Sequence, residues 1–381
     1  MLENKNILII SPDRWRKLHV SKHHYAIELE KRNNEIYFLN PMEPGVPSFE
    51  ISQVDENKKL YSVDFNFTIR GERFYPSFLL RAIEYIQIKV FLAFLKKKID
   101  IVWCFSDFSI KSLDYINAKI VIFHPVDMML SGGFQQAKHA DILLSVAENI
   151  LSKYEYLKKP AYIVNHGLAD SYKSLAISSL EKSIDIIYKS NKPAKVGYVG
   201  NLLRMDIDHA TFLKVITQLP TVEFNLWGPY DYQVVGLEYD MKENVMEFIK
   251  DLKALDNVKM HGLVDSSELA NLIQDMDAFF ICYDAEKEIN QCSNNHKIIE
   301  YFSTGKCVVS NYISHYDKKR DLVMMPASHN NETLPDLMEM VTKNLEEYNT
   351  KNLMKNRIEF ALDNTYQKNV DRIDSLLIQY F

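Results

Sequence analysis

The residues best placed to do chemistry stand in one run, Asn294-Asn295-His296-Lys297-Ile298-Ile299-Glu300-Tyr301-Phe302-Ser303-Thr304-Gly305-Lys306-Cys307-Val308-Val309. It reads as loop, helix start, helix, glycine stop and strand. Asn294 or Asn295 can cap the helix and leave backbone N–H groups to meet an anion. Lys297 falls in the first turn, where a cation opposes the helix dipole, a placement easier to understand if Lys297 meets a phosphate. Glu300 lies one turn on and on the same face, where its carboxylate can accept hydrogen bonds from ribose hydroxyls. An ordinary amphipathic helix with a solvated lysine has the same spacing.

Other candidates are more scattered. His124 and Asp127 follow the apolar run Ile120–Phe123. A carboxylate there can take a proton or cap the next turn, and the histidine can equally be a core residue. Arg204 can clamp a phosphate through its guanidinium fork or stand exposed. Gly200 and Gly228 either admit a ligand close to the backbone or serve as turn glycines. Asp13 and Arg14, after the first strand, can reach a second substrate but read more readily as solvated loop residues, and His24 follows in the opening helix. Glu286, Glu288 and Asn290 precede the Lys297 helix and are weaker sugar contacts. Asp206-Ile207-Asp208 and Asp275-Met276-Asp277 both fit D-x-D, and two hits in one acidic half show how cheap that pattern is. Asp206 reads as a helix N-cap. His19, His23 and His24 lack an acid at ligand spacing, and Cys104, Cys282, Cys292 and Cys307 form no C-x-x-C pair, so a metal site is not expected.

The elements that must position these groups alternate. Asn6–Ser11, Ile36–Leu39, Ile101–Phe105, Ile120–Phe123, Ile142–Val146 and Tyr162–Val164 read as strands, with helices such as Ser21–Arg32 between them. Ala169–Pro193 is polar and reads as an interdomain stretch, with Ile184-Asp185-Ile186-Ile187 a short element inside it. The pattern then restarts. Lys195–Val199, Val222–Trp227, Val258–His261, Ala278–Tyr283 and Cys307–Ser310 read as strands. Asp206–Gln218, Ser266–Met276 and Asn295–Ser303 read as helices. This is the signature of two α/β, Rossmann-like domains. The expected division is 1–170, a linker 171–193, 194–360, and a returning C-terminal segment 361–381, with Tyr366–Tyr380 its helix. Phe78–Lys98 reads as a basic amphipathic helix, suited to an anionic membrane surface or to a core position with a solvated basic end.

Composition narrows the classes. Apolar residues make up 47% and charged residues 25% of the chain, which excludes disordered and collagen-like chains. No apolar run approaches the roughly 20 residues that span a bilayer. Ile7–Ile10 is too short for a signal-peptide core, so a cytoplasmic protein is expected. The net charge of −6 argues against nonspecific nucleic-acid binding. The first 180 residues carry 23 Lys and Arg against 20 Asp and Glu, and the remaining 201 carry 22 against 31.

The Lys297 helix resembles the donor-site motif K-x-x-E-Y-x-x-x-G-x-x-V-V of GT-B glycosyltransferases, close to the large retaining family of bacterial sugar transferases. Gly197-Tyr198-Val199-Gly200-Asn201, Leu226-Trp227-Gly228-Pro229 and Val258-Lys259-Met260-His261-Gly262 resemble further donor-domain segments in the same order. Ser21-Lys22-His23-His24 and Asn165-His166-Gly167 resemble first-domain segments. The resemblance implies a GT-B fold: two Rossmann-like domains facing across a cleft, with a C-terminal helix crossing back to the first. It implies an enzyme of hexosyltransferase type, moving a sugar from a UDP- or GDP-linked donor to a glycan or lipid-linked acceptor in bacterial surface polysaccharide or glycoconjugate synthesis. No cofactor or metal is implied, and peripheral contact with the inner face of the membrane fits such acceptors. In the family the glutamate equivalent to Glu300 holds the ribose and the lysine equivalent to Lys297 lies near the diphosphate. Gly200, Arg204, Gly228 and Asn295 would complete the donor site, with Asp13, Arg14 and His24 on the acceptor side. His124 matches a histidine that contacts the donor sugar in retaining members. Asp127 matches the base of inverting, xanthan-type glucuronosyltransferases. Cys292 stands eight positions before Glu300, where many retaining members carry a second glutamate, and Asp13-Arg14-Trp15-Arg16 replaces a glycine pair, so both stereochemical courses stay open. A nucleotide-sugar 2-epimerase of the same fold and a catalytically degenerate sugar-binding or scaffold protein are the other readings.

Overall fold

Period-two alternation assigns the strands of the first half to two faces. Ile7 and Ile9 face one way with Ile36, Phe38, Ile101, Trp103, Ile122 and Leu144. Leu8 and Ile10 face the other with Tyr37, Leu39, Val102, Cys104, Phe123 and Leu143. Runs buried on both faces belong to parallel strands covered by helices on either side. The computed structural model describes residues 1–16, 19–42, 49–56, 58–67, 74–107, 110–129, 133–183, 188–190, 192–231, 243–287 and 292–380. The 184–187 element, Glu288 and Asn290 fall outside them.

The chain divides into two compact units, one of Met1–His166 with Tyr366–Phe381, the other of Gly167–Thr365. The first unit holds β1 (Asn6–Ile10), β2 (Glu35–Leu39), β3 (Phe49–Gln53), β4 (Leu60–Phe65), β5 (Ile101–Cys104), β6 (Ile120–Phe123), β7 (Ile142–Ser145) and β8 (Ala161–Ile163). They form one sheet in the order β3-β4-β2-β1-β5-β6-β7-β8. All neighbours are parallel except the edge pair β3 and β4. One face is covered by α1 (Ser21–Glu30) through Tyr25, Ala26 and Leu29. The other is covered by α2 (Ser77–Leu95) through Ile88, Phe91 and Leu95. Two short helices, α3 (Phe134–His139) and α4 (Glu148–Leu151), complete this part.

The second unit holds α5 (Asp170–Ser183), β9 (Lys195–Val199), α6 (His209–Gln218), β10 (Glu223–Trp227), α7 (Glu243–Lys253), β11 (Val258–Gly262), α8 (Ser266–Leu272) and β12 (Ala278–Ile281). It continues with α9 (His296–Phe302), β13 (Cys307–Ser310), β14 (Val323–Met324), α10 (Leu334–Lys343), α11 (Leu345–Tyr348) and α12 (Lys351–Asp363). Its sheet is parallel throughout, in the order β11-β10-β9-β12-β13-β14. The order reverses beside β1 in the first sheet and beside β9 in the second. Ligands of open α/β sheets bind outside the carboxyl ends of the strands at such points.

Three expectations change. The polar stretch expected as linker contains α5, whose buried Tyr172, Leu175 and Ala176 recur at helical spacing and pack it against α12 and α8. The helix expected from Asp206 starts at His209, because Asp208 is its cap and accepts from the Thr211 N–H at 3.0 Å. The C-terminal segment expected from 361 joins the first unit only at Tyr366, where its helix was expected to start, since α12 runs to Asp363 within the second unit. That last helix, α13 (Tyr366–Tyr380), buries Val370, Ile373 and Leu377 in the core it shares with α1. The Asn369 amide donates to Asn165 O at 2.8 Å.

Candidate functional site

In the second unit, α9 is held at both ends. Asn295 Oδ1 accepts from the Lys297 N–H at 2.9 Å, and the Ile298 N–H reaches Asn295 O at 3.2 Å. These two amides are therefore spent on the cap. An anion at this seven-residue helix would be met chiefly by the Lys297 side chain, not by the open first turn that the cap was expected to leave. Farther along, the Tyr301 ring stacks on Phe279 at 4.1 Å, and its hydroxyl accepts from the Val199 N–H at 2.8 Å. This bond pins α9 to the end of β9. The turn that follows the helix ends at Gly305, which takes φ +77°, a left-handed conformation that favours glycine.

Lys297 and Glu300 project from the same side and pair at 2.9 Å, each mostly but not fully buried. The Tyr172 hydroxyl of α5 hydrogen-bonds both Glu300 and Ser266. Burial, then the Glu300 charge, push that phenol far above its ordinary range, so it is a permanent donor holding the carboxylate in place. Nothing local marks Tyr172 in the sequence, because it lies well over a hundred residues upstream of its partner. The Asn295 amide nitrogen is buried and has no hydrogen-bond partner among the described residues.

The two glycines have a structural explanation. Gly228 takes φ +131°, and a Cβ there would lie 1.9 Å from Gly200 O. The Gly200 N–H donates to Trp227 O at 2.9 Å and the Gly228 N–H to Gly262 O at 2.8 Å. Gly228 thus lets the ends of β9, β10 and β11 lace together; it meets backbone, not open space. Arg204 turns its Nε and one amino group to Asp206, at 2.8 Å for Nε, and lies over the Tyr283 ring. A phosphate would have to compete with that carboxylate. Cys292 is a buried thiol that accepts from the Asn311 amide at 3.3 Å. Glu286 is exposed, its N–H bonded to Asp284.

In the first unit, His124 follows β6 and is fully buried. The Trp103 indole N–H donates to its Nδ1 at 3.3 Å, and the Phe105 and Tyr25 rings lie 5.0 and 5.4 Å away. Desolvation first, then the nearby His166 and Lys22, push its pKa down to about 3. The imidazole is therefore neutral. With Nδ1 accepting, the proton sits on Nε2, which has no partner among the described residues. His124 is thus built as a hydrogen-bond donor and is a poor proton acceptor. Asp127, three residues on, is exposed.

The acceptor-side candidates separate. Asp13 pairs with the buried Lys22 ammonium at 3.1 Å. Arg14 turns to Asp64 on β4, which also accepts from Asn40 at 2.8 Å. His24 stacks on Tyr366 at 4.8 Å. His23 has both ring nitrogens occupied, by the Val20 N–H at 3.1 Å and Arg14 O at 2.9 Å. Among the described residues no three His, Cys, Asp or Glu side chains converge to hold a metal ion.

No protein-family profile and no curated protein matches the sequence. The structure is similar to many solved ones. Sucrose-phosphate synthase from Thermosynechococcus elongatus aligns over 98% of this chain and 98% of its own, with TM-score 0.67 and 11% identity. Anabaena HepE in complex with UDP and glucose aligns over 99% and 100%, with TM-score 0.65 and 11% identity. A glycosyltransferase from Rickettsia africae aligns over 98% and 99%, with TM-score 0.62 and 15% identity. At these identities the likeness establishes the fold. It is the two-domain GT-B fold that the motif order implied.

Proposed function

We propose that the chain is a GT-B glycosyltransferase of hexosyltransferase type, moving a sugar from a nucleoside-diphosphate sugar to a glycan or lipid-linked acceptor of bacterial surface polysaccharide or glycoconjugate synthesis. The observation that carries this reading is the Lys297–Glu300 pair at the start of α9, backed by the Tyr172 hydroxyl. A carboxylate held by a phenol and paired with Lys297 can accept the hydroxyls of a ribose when that ammonium turns to a diphosphate. An ammonium three residues earlier meets the diphosphate and stabilises its charge as it leaves. Both groups lie in the unit whose strand order reverses beside β9, where a nucleotide of such a sheet binds. The fold is shared with HepE, whose structure holds UDP and glucose.

The first unit supplies the acceptor side. Asp127 is the exposed carboxylate that takes the proton of the attacking hydroxyl. His124, a neutral Nε2–H donor, binds a sugar hydroxyl and takes no part as a base. Cys292 gives no second carboxylate near Glu300.

Calorimetric titration with UDP and GDP tests the donor site. Removing a charged hydrogen-bonding group costs about 1.5–3 kcal/mol, so Lys297→Ala/Glu300→Ala should bind its preferred nucleotide at least about tenfold more weakly. Undiminished binding would overturn the assignment. Transfer to an acceptor, in place of interconversion of the donor, separates this reading from an epimerase.

A further inference from the structure

Helix α2 is anchored on one side and bare on the other. Ile88, Phe91 and Leu95 enter the core with Phe65 and Phe67. The opposite face presents Phe78, Ala82, Tyr85, Ile86, Val90, Ala93 and Phe94 to solvent, preceded by Phe74 and Tyr75. The exposures are large: 76% for Phe74, 73% for Phe78, 59% for Ile86 and 50% for Val90. Of the 18 exposed large hydrophobic residues among those described, seven fall within residues 74–94. Apolar surface is scattered over ordinary proteins, but a contiguous strip marks an interaction site. From Phe78 to Phe94 the strip runs about 24 Å at 1.5 Å per residue.

The exposed charges on the helix itself and at its C-terminal end share one sign. Arg81, Lys89, Lys96, Lys97 and Lys98 are exposed along it and at its end. Lys89 lies over the Tyr85 ring at 5.2 Å and donates to Tyr115 O at 2.9 Å, and Lys97 pairs with Glu35 at 2.7 Å, so the cations offered outward are Arg81, Lys96 and Lys98. Glu84 is the one acid between Ser77 and Lys98. Its carboxylate is turned away, accepting from the Lys111 N–H at 2.8 Å, the Ser112 N–H at 3.2 Å and the Ser112 hydroxyl at 2.8 Å. A second copy of this face would set lysines against lysines, with no exposed carboxylate on the helix to meet them in either orientation. An anionic bilayer supplies what the face lacks: an apolar layer for the rings and a negative headgroup plane for the ammonium groups. No described helix is long and apolar enough to cross a membrane, so the contact is interfacial.

We propose that the exposed face of α2 docks on an anionic lipid surface, with Phe78, Ile86, Val90 and Phe94 entering the headgroup boundary and Arg81, Lys96 and Lys98 meeting lipid phosphates. The proposal does not rest on the transferase reading, because its test reads binding and not activity. The full chain is cosedimented with large unilamellar vesicles of phosphatidylglycerol and phosphatidylcholine, and with phosphatidylcholine alone. The parent should bind the mixed vesicles at least about tenfold more tightly than the neutral ones and lose that preference in high salt. Phe78→Ser/Ile86→Ser/Val90→Ser should weaken binding to the anionic vesicles about tenfold or more while leaving the melting temperature unchanged. Lys96→Glu/Lys98→Glu should remove the anionic preference and serves as the second test if the serine variant folds poorly. Absence of binding by the parent, binding equal on both lipids, or serine and glutamate variants that bind like the parent would each overturn the proposal. A concentration-dependent dimer that the serine variant abolishes, without vesicle binding, would assign the face to self-association instead.

Discussion

Gly228→Ala tests the lacing of strand ends at the candidate donor site. The new methyl would sit 1.9 Å from Gly200 O and 2.7 Å from Gly200 C, well inside contact distance. Both partners are backbone, so no rotamer change relieves the clash. The φ of +131° adds a conformation that essentially only glycine adopts, about 1–3 kcal/mol. Separating the loops costs the Gly200 N–H to Trp227 O and Gly228 N–H to Gly262 O bonds, about 1 kcal/mol each. The total is roughly 3–5 kcal/mol. Gly262 is the matched control. Its φ is +73°, but a Cβ there meets nothing closer than Tyr230 Cε1 at 3.7 Å, so Gly262→Ala should cost only about 1–2 kcal/mol of left-handed strain. Hydrogen exchange read by mass spectrometry on peptides covering β9 and β10 reports the difference directly. A cost of about 4 kcal/mol is roughly a thousandfold faster exchange where opening is at equilibrium. Equal effects of the two substitutions, or exchange like the parent's in Gly228→Ala, would refute the reasoning.

Two further outcomes follow from the same geometry. Asp208 caps α6, also accepts from the Thr211 hydroxyl at 2.7 Å and from the Asn331 amide at 3.0 Å, so Asp208→Ala should cost about 2 kcal/mol. Asp206→Ala, which loses a partly exposed ion pair with Arg204, should cost under about 1 kcal/mol; the denaturant midpoints of the two variants check the order. His124, held near pKa 3 when folded, binds a proton only in the unfolded state as pH falls below about 6.5. Its contribution is therefore full above pH 6.5 and is lost as pH falls toward 3. His124→Phe should lose about 2 kcal/mol less stability than the parent between pH 7 and pH 5, and an unchanged slope of unfolding free energy against pH would count against the buried neutral imidazole.

Apolar runs were enough to locate the central strands. β1, β5, β6, β9, β12 and β13 lie within a residue or two of the expected ranges, because a strand buried on both faces leaves an uninterrupted apolar word. β3 and β4 left no such word. Glu50, Ser52, Gln53, Ser62 and Asp64 alternate with apolar residues at a half-exposed sheet edge, and the polar members hide the pattern. α5 was hidden in the same way by its serines and lysines, although Tyr172, Leu175 and Ala176 trace its buried stripe. The Lys297–Glu300 pair was legible because its members are helical neighbours. Tyr172 behind Glu300, and Trp103 behind His124, were not, since only the folded sheets bring them together. The glycines carried a third lesson: their position was readable, but only the fold shows that a Cβ at Gly228 would strike the Gly200 backbone and one at Gly200 the Tyr198 ring.

The first unit is assembled from both ends of the polypeptide, with the second unit threaded between them. Its core includes Val370, Ile373 and Leu377 of α13, which a ribosome makes after every residue of the second unit. The second unit is contiguous in sequence and, among the described residues, its core contains none from α13, so it can close while translation continues. The aromatic box around His124 shares Tyr25 with Tyr366, whose rings meet edge-on at 5.2 Å. During synthesis the second unit therefore has its complete chain before the first does. A ribosome stalled short of residue 366 would leave a finished second unit tethered to an open apolar sheet face, the kind of intermediate that chaperones and proteases act on.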